Sequence, residues 1–215
     1  AVTLPTISQV DEESVDWDQF DRFADFLEKT YPEVHKHMQK TIIGGHGLVF
    51  FLPGSDPALE PVAMLAHQDV VPVTPGTEED WPHPPFAGHN DGEFIWGRGA
   101  LDMKNHLIAV MEATEALLKE GFAPKRGLYI LLGCNEEIVA SENSSAKKIA
   151  AYLKESGVRL KCAVDEGGGV IPLSYKNIID KTLVGIGVAE KGYLDIELSV
   201  TAKGGHSSAP PAHTA

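Results

Sequence analysis

Apolar strand-type runs alternate with helical segments along this 215-residue chain, and this alternation restricts the fold more than any other feature. Residues 128–132 are apolar throughout, which is typical of a strand buried on both faces of a parallel sheet. Similar runs at 48–52, 62–66 and 161–164 accompany it. The alternation predicts an α/β fold with a mixed, mostly parallel sheet flanked by helices.

Three helices are predicted from apolar residues at helical spacing. The first covers residues 16–31 and ends before Pro32, and the second covers about 103–120 and is followed by Gly121. The third covers about 143–156, with Asn143 as its cap.

The connections differ in character. Residues 53–57 carry turn chemistry, so the strands at 48–52 and 62–66 are predicted to form a hairpin. Residues 72–92 are rich in proline, glycine and acidic residues, and a loop of this length is usually functional. A proline-containing loop is predicted before a strand at 183–189.

The pattern changes near Lys191. Residues 193–200 alternate strictly between apolar and polar, which indicates a strand with one buried and one solvated face. The earlier strands are apolar on both faces. We therefore expect one domain over residues 1–190 and the beginning of a second over 191–215.

The chain is acidic, with 31 acidic against 18 basic residues and a net charge of −13. Nucleic acid and anionic membranes demand a basic face, so neither is expected as a partner. No stretch reaches ~20 apolar residues, and the first residues do not resemble a signal peptide. Cys134 and Cys162 suit free thiols better than a disulfide, so we expect a cytoplasmic location.

Ligating or acidic side chains follow several strand-type runs. They are His67 and Asp69, Asp102, Glu136 and Glu137, and Asp165 and Glu166. In an open α/β sheet, ligands bind beyond the carboxyl ends of the strands, so these side chains are expected to meet. A helix cap or a solvated loop end explains one such residue, but this many carboxylates at one edge repel one another unless cations are present.

His67 and Asp69 form the pair on which the site is centred. Residues two apart on an extended chain point the same way, so both side chains can address one spot. A carboxylate beside an imidazole fixes the tautomer of a metal-ligating histidine. The alternative is a strand end whose histidine and aspartate only cap a loop.

Two divalent cations would relieve the repulsion. Nitrogen from His67 and oxygens from three acids suit two Zn²⁺ ions, with Mn²⁺ or Co²⁺ as alternatives. The three acids are Asp102, Glu137 and Asp165. Asp102 is central among them and is the natural bridge between two ions. Glu136 is then left to act as the general base.

Five motifs resemble those of the co-catalytic zinc metallopeptidases, the family that includes aminoacylase, carboxypeptidase S and bacterial glutamate carboxypeptidase. They are AHQDVVP (66–72), GRGALDMK (97–104), EE (136–137), DEGG (165–168) and GGHSS (204–208). Two further stretches are similar to the carboxypeptidase S branch, which also holds enzymes acting on N-fatty-acyl amino acids. They are WPHPPFAG (81–88) and HSSAPP (206–211).

The resemblance implies a role for each strand-end residue. By this resemblance, His67 binds one metal, Glu137 binds the second, and Asp102 bridges the two. Glu136 acts as the general base, and Asp69 supports His67 from behind. The resemblance places a further ligand in the pair Asp165 and Glu166, and the branch pattern favours Asp165.

The resemblance also implies that residues 191–215 begin a lid or dimerisation domain. The family's equivalent of His206 reaches the active site, often that of a partner subunit, and donates to the tetrahedral oxyanion. Such a donor contributes ~3–4 kcal/mol to transition-state stabilisation. We therefore expect a catalytic role for His206 and a homodimer, the alternative being an ordinary loop histidine between glycines.

The chain departs from the family pattern in two places. Asn135 precedes the glutamate pair where aspartate is common, and no glycine follows shortly after it. The family's last metal histidine and its arginine for the substrate carboxylate lie beyond residue 215. We therefore expect this chain to be part of a longer protein.

Arg98 and Lys104 are weaker candidates near the site. Arg98 lies between two glycines and would either bind a substrate carboxylate or bridge the loop structurally. Lys104 stands at the start of a predicted helix and would either act electrostatically at the site or lie on the surface.

The sequence thus predicts a metal-dependent hydrolase of an amide bond in a peptide or an N-acyl amino acid. A di- or tripeptidase, or a biosynthetic deacylase, would use the same chemistry. A metallophosphoesterase and a non-catalytic metal-binding fragment are the alternatives from other classes.

Overall fold

A computed structural model describes residues 1–138, 143–175, 178–189, 192, 194 and 196–201. The chain divides into two compact units, Ala1–Glu166 and Gly167–Ala215. The boundary expected near residue 191 falls next to residues outside the described part, and it stays a prediction. The helices of the first unit are α1 (Trp17–Thr30), α2 (Pro32–His37), α3 (Asn105–Lys119) and α4 (Ser145–Glu155). Its strands are β1 (Gln39–Ile43), β2 (Gly47–Leu52), β3 (Val62–His67), β4 (His89–Asn90), β5 (Ile95–Trp96), β6 (Leu128–Gly133) and β7 (Cys162–Val164).

Five strands form the main sheet in the order β1-β2-β6-β3-β7. β6 pairs in parallel with β3 and antiparallel with β2, and β3 also pairs in parallel with β7. The predicted mixed α/β sheet is confirmed, with the apolar β6 in its interior. Within the main sheet, parallel pairing is confined to β6, β3 and β7.

The predicted hairpin between residues 48–52 and 62–66 is wrong. β6 lies between these two strands, because the interior position goes to the strand that is apolar on both faces. β2 instead forms a hairpin with β1, a strand that the apolar pattern does not predict. Their turn contains Gly44 and Gly45, whose φ angles of 61° and 99° favour glycine.

Helices cover both faces of the sheet, because side chains alternate along each strand. Ile130 and Leu132 of β6 belong to one buried cluster, which includes residues of α1 and α3. Tyr129 and Leu131 belong to another, which includes Ile149 of α4. β6 is therefore buried from both sides.

Local signals set several helix ends. Pro32 ends α1 as predicted, and it also begins α2, since proline is favoured at the first helical position. α3 ends before Gly121 as predicted. Ser144, rather than Asn143, caps α4 by accepting a hydrogen bond from the Lys147 N–H.

The second unit contains an antiparallel pair, β8 (Gly169–Tyr175) and β9 (Ile179–Gly185). The predicted proline-containing loop is therefore wrong, because Pro172 lies within β8, opposite Thr182. Both strands of a two-stranded sheet are edge strands, where proline is tolerated. No strand is assigned to the described residues among 193–200. Across the described residues, no helix combines the length and apolar character that a membrane span requires.

Candidate metal centre

His67 lies at the carboxyl end of β3, the centre of the candidate site. Its parallel pairing with Gly133 brings the ends of β3 and β6 together. The imidazole is buried, and its Nε2 atom lies 3.1 Å from Asp102 Oδ1. The other ring nitrogen, Nδ1, lies 3.0 Å from the main-chain oxygen of Asp69, a contact that fixes the orientation of the ring.

Asp69 is fully buried beside His67 and joins two loops. Its Oδ1 accepts a hydrogen bond from the Glu136 N–H at 3.1 Å, and its Oδ2 accepts one from the Glu137 N–H at 3.2 Å. Oδ1 also lies 3.4 Å from His67 Nδ1. Burial raises the pKa of Asp69, but its hydrogen bonds outweigh that effect and lower the pKa. Asp69 thus positions the glutamate pair as well as the imidazole. The sequence does not reveal its hydrogen bonds to the main chain of the glutamates.

Asp102 reaches the site from the loop before α3. Gly99 begins this loop with a φ of 78°, and a Cβ atom there would overlap Val70 Cγ1. Glycine therefore permits the close approach of this loop to the segment after β3. The Asp102 side chain is largely exposed, so its carboxylate is accessible to a ligand from solvent.

Three glutamates complete the cluster around His67. Glu136 Oε2 and Glu166 Oε1 lie 3.8 and 3.7 Å from His67 Nε2. Ligand atoms of His67, Asp102 and Glu137 lie within 4.8 Å of one another, and so do those of His67, Glu136 and Glu166. The structure therefore brings carboxylates from separate segments to one imidazole.

Asp165 and Glu166 face different surroundings. Glu166 belongs to the cluster, whereas Asp165 accepts a hydrogen bond from the Glu166 N–H at 3.0 Å. Asp165 also lines, with His67 and Glu136, an adjacent cavity of about 210 Å³. The ligand role of Asp165 stays a prediction. His206 lies outside the described residues, and its role likewise stays a prediction.

The electrostatics of the cluster favour a cation. Burial lowers the pKa of His67, but Asp69 and two nearby glutamates raise it to about 9. Burial and neighbouring carboxylates raise the pKa of Glu166 to about 7. The pKa values of Glu136 and Glu137 are raised by burial and by nearby acids. These three glutamates are therefore harder to charge than isolated carboxyls, and a cation among them would reverse this effect.

The donor set fits zinc. Zn²⁺ binds imidazole nitrogen and carboxylate oxygen, and the second nitrogen of a ligating histidine is usually bonded to a carbonyl or a carboxylate. His67 has this arrangement, since Nδ1 faces Asp69 while Nε2 faces the other acids. The site thus has the ligand types and the supporting contact that a zinc centre requires.

Lys104 and Arg98 have structural contacts. Lys104 is 1% exposed, so the surface alternative is wrong, and its Nζ donates to the Leu4 main-chain oxygen at 2.6 Å. Arg98 Cζ lies 5.2 Å from the centre of the Trp81 ring, which supports the bridging alternative within the loop.

Comparison with known families gives a separate line of support. Residues 63–211 match the model described as Peptidase family M20/M25/M40. Carboxypeptidase S from Saccharomyces cerevisiae is 42% identical over 100% of this chain and 38% of its own length. The N-fatty-acyl-amino acid synthase/hydrolase PM20D1 from Mus musculus is 41% identical over 100% of this chain and 42% of its own length. The chain spans about two fifths of the length of these curated relatives.

Solved structures share the fold. The M20 family metallo-carboxypeptidase Sso-CP2 from Sulfolobus solfataricus gives a TM-score of 0.60 at 21% identity, over 79% of this chain and 36% of that one. Human carnosine dipeptidase 1 gives a TM-score of 0.59 at 19% identity, over 77% of this chain and 36% of that one. At these identities, the likeness is one of fold.

Proposed function

The chain belongs to peptidase family M20/M25/M40, and we propose that the protein containing it is a metal-dependent hydrolase. The bond that it cleaves is an amide in a peptide or in an N-acyl amino acid. The observation that carries this proposal is the convergence of acids from separate segments on the buried imidazole of His67. One imidazole does not balance that many like charges, whereas divalent cations do.

The metal is zinc, and the proposal requires two ions. The residues that would hold them are His67, Asp102, Glu137 and one member of the pair Asp165 and Glu166. Bound zinc supplies Lewis acidity, which polarises the scissile carbonyl and lowers the pKa of the attacking water.

Glu136 is the proposed general base. Its N–H is bound to Asp69, while its carboxylate is half-exposed and 3.8 Å from His67 Nε2. Burial raises its pKa, and a base whose pKa lies nearer neutrality is more effective at neutral pH. Glu136 takes a proton from the attacking water and delivers it to the departing amine when the C–N bond breaks.

The substrate class follows the names of the relatives. One is a carboxypeptidase, and the other is an N-fatty-acyl-amino acid synthase/hydrolase. Hydrolysis of a terminal peptide bond or of an N-acyl amino acid breaks an amide and releases an amino acid. A di- or tripeptidase, or a biosynthetic deacylase, would break the same kind of bond. The oxyanion role of His206, a homodimer and a cytoplasmic location belong to this proposal.

The test uses the full-length protein that contains this chain, stripped with a chelator and then reloaded with Zn²⁺. Hydrolysis of dansylated peptides, N-acyl amino acids and a phosphodiester is measured against the metal content of the same samples. We expect amide hydrolysis that disappears with the metal and returns with zinc. Amide hydrolysis that persists after metal removal, or cleavage of the phosphodiester alone, would refute the proposal.

A further inference from the structure

The first eight residues form an irregular arm that binds the segment after β3. Ile7 forms a parallel bridge with Val70, whose N–H donates to the Thr6 main-chain oxygen at 3.0 Å. The Ser8 N–H donates to the Val70 oxygen at 3.2 Å. The Thr6 hydroxyl donates to the Gln68 main-chain oxygen at 2.6 Å, and Thr6 is fully buried. The arm is therefore attached, through its main chain and one buried side chain, to the residues directly after β3.

Lys104 attaches the same arm to the loop that carries Asp102. Its Nζ donates to the Leu4 main-chain oxygen at 2.6 Å and to the Ala1 oxygen at 3.5 Å. The side chain is buried, and Nζ lies 5.1 Å from the centre of the Phe23 ring of α1. Because a buried ammonium is costly unless its donors are satisfied, the oxygens of the arm make a lysine acceptable here.

The two attachments lie close together along the arm. Leu4 and Thr6 are two residues apart, which corresponds to at most about 7 Å of chain. Their partners are close in sequence to the candidate ligands, since Gln68 follows His67 and Lys104 is two residues after Asp102. The arm therefore connects the segment that supplies the imidazole with the segment that supplies the proposed bridging carboxylate.

We propose that residues 1–8 act as a strap that holds the segments of His67 and Asp102 at ligand spacing. This inference rests on the metal-dependent function proposed above. Thr6 and Lys104 are then positioning residues, which act on the metal through its ligands. The strap matters because acids that share one site repel one another and would otherwise move apart.

The experiment measures the Zn²⁺ affinity of the full-length protein by competition with a chromophoric chelator. Thr6→Val removes the hydroxyl at nearly constant volume, whereas Thr6→Ser keeps it. Lys104→Met removes the ammonium and keeps the apolar stem, whereas Lys29→Met makes the same change at an exposed lysine of α1. Side chains that hydrogen-bond a metal ligand directly contribute about 10–100-fold to affinity. Thr6 and Lys104 act one contact further from the ligands, so we expect a loss near the lower end, about tenfold, in Thr6→Val and Lys104→Met. Thr6→Ser and Lys29→Met should retain wild-type affinity.

A second readout separates positioning from general stability. Zinc affinity is measured at a temperature at which circular dichroism shows that each variant is folded. A structural role alone would lower the thermal midpoint and leave zinc affinity unchanged, a result that would overturn the strap. If Lys104→Met does not fold, Thr6→Val decides, since it exchanges a hydroxyl for a methyl group.

Failure of the strap is distinguishable from failure of the proposed function. If the wild type binds zinc and hydrolyses an amide while Thr6→Val binds zinc equally well, only the strap is refuted. If the wild type neither binds zinc nor hydrolyses an amide, the proposed function is refuted, and the strap with it.

Discussion

The rear and the front of the candidate site are built differently. At the rear, the side chains of His67 and Asp69 are 3% and 0% exposed and are bonded to the main chain. At the front, the side chains of Asp102 and Glu136 are 67% and 50% exposed. The rear is therefore fixed by the fold, whereas the front is open to solvent and carries unbalanced negative charge.

This difference assigns separate tasks to the two parts. In the proposed site, a buried ligand and its support would be positioned before any metal arrives, which would reduce the cost of binding it. The front acids would meet both a metal and a substrate, and their exposure to solvent suits that task. Substitutions at the rear should therefore affect stability and affinity together, and those at the front should affect catalysis or affinity while leaving stability nearly unchanged.

The largest effect is expected at the front, in Glu136→Gln. Glutamine keeps the size of the side chain and leaves the main-chain bond to Asp69 intact, but it does not accept the proton. kcat should fall about 10²–10⁴-fold, while zinc affinity and the thermal midpoint stay near wild type. Steady-state kinetics and chelator competition measure both quantities. A retained kcat would remove Glu136 from the catalytic step.

The substitutions Asp69→Asn and Glu137→Gln compare rear and front directly. Asparagine cannot accept from both N–H groups that Asp69 binds, because one of its two polar atoms is a donor. Losing a buried hydrogen bond to a charged acceptor should lower the free energy of unfolding by about 1.5–3 kcal/mol. Glu137→Gln should not lower it, because Glu137 is half-buried and burial disfavours the charge that glutamine lacks. Urea unfolding with chelator present measures both, and equal losses would erase the distinction.

Gly99→Ala tests the junction between the two parts, with Gly121→Ala as its control. Their φ angles are 78° and 79°, so alanine carries similar backbone strain at either position, about 1–2 kcal/mol. A Cβ at residue 99 would also overlap Val70, whereas one at residue 121 has nothing within 4 Å. Zinc binding should weaken in Gly99→Ala alone. Equal affinity in the two variants would show that this junction does not set ligand spacing.

The smallest expected effect is a dependence of stability on pH. The pKa values of His67, about 9, and Glu166, about 7, lie above their ordinary values of 6.5 and 4.5. These two groups bind more protons in the folded state, so their contribution to stability falls as pH rises from 4.5 to 9. Glu166 lowers stability as pH rises from 4.5 to 7, because folding disfavours its charged form. His67 lowers stability as pH rises from 6.5 to 9, because it loses a positive charge that folding favours.

Thermal midpoints across this pH range, measured with chelator present, check the prediction. The matched control is Glu166→Gln, which should reduce the decline below pH 7 without removing it, because the pKa values of Glu136 and Glu137 are also raised, and should keep a decline above pH 7. A difference between wild type and Glu166→Gln that does not vary with pH would contradict the raised pKa of Glu166.

Local patterns predict the elements of the site better than their long-range contacts. The apolar run of β6 and the acids beyond it are visible in the sequence, because burial and strand-end position are local properties. The insertion of β6 between β2 and β3 depends on distant pairing, which residue spacing does not encode. The burial of Lys104 depends in the same way on an arm about one hundred residues away.

The pair Asp165 and Glu166 shows a second limit. The position after an apolar strand predicts that an acid reaches the site. Neighbouring side chains on an extended chain point in opposite directions, so the choice between the two depends on the local backbone. The structure turns Glu166 toward His67, with 3.7 Å between Oε1 and Nε2.

Anomalous diffraction at the zinc edge, from crystals of the full-length protein, tests the zinc assignment most directly. A peak is expected about 2.0–2.2 Å from His67 Nε2 and from a carboxylate oxygen of Asp102 or Glu137. A second peak beside the first would establish the two-ion site. Zinc-loaded crystals with no peak at His67, or with metal bound only elsewhere, would contradict a metal centre built on this imidazole.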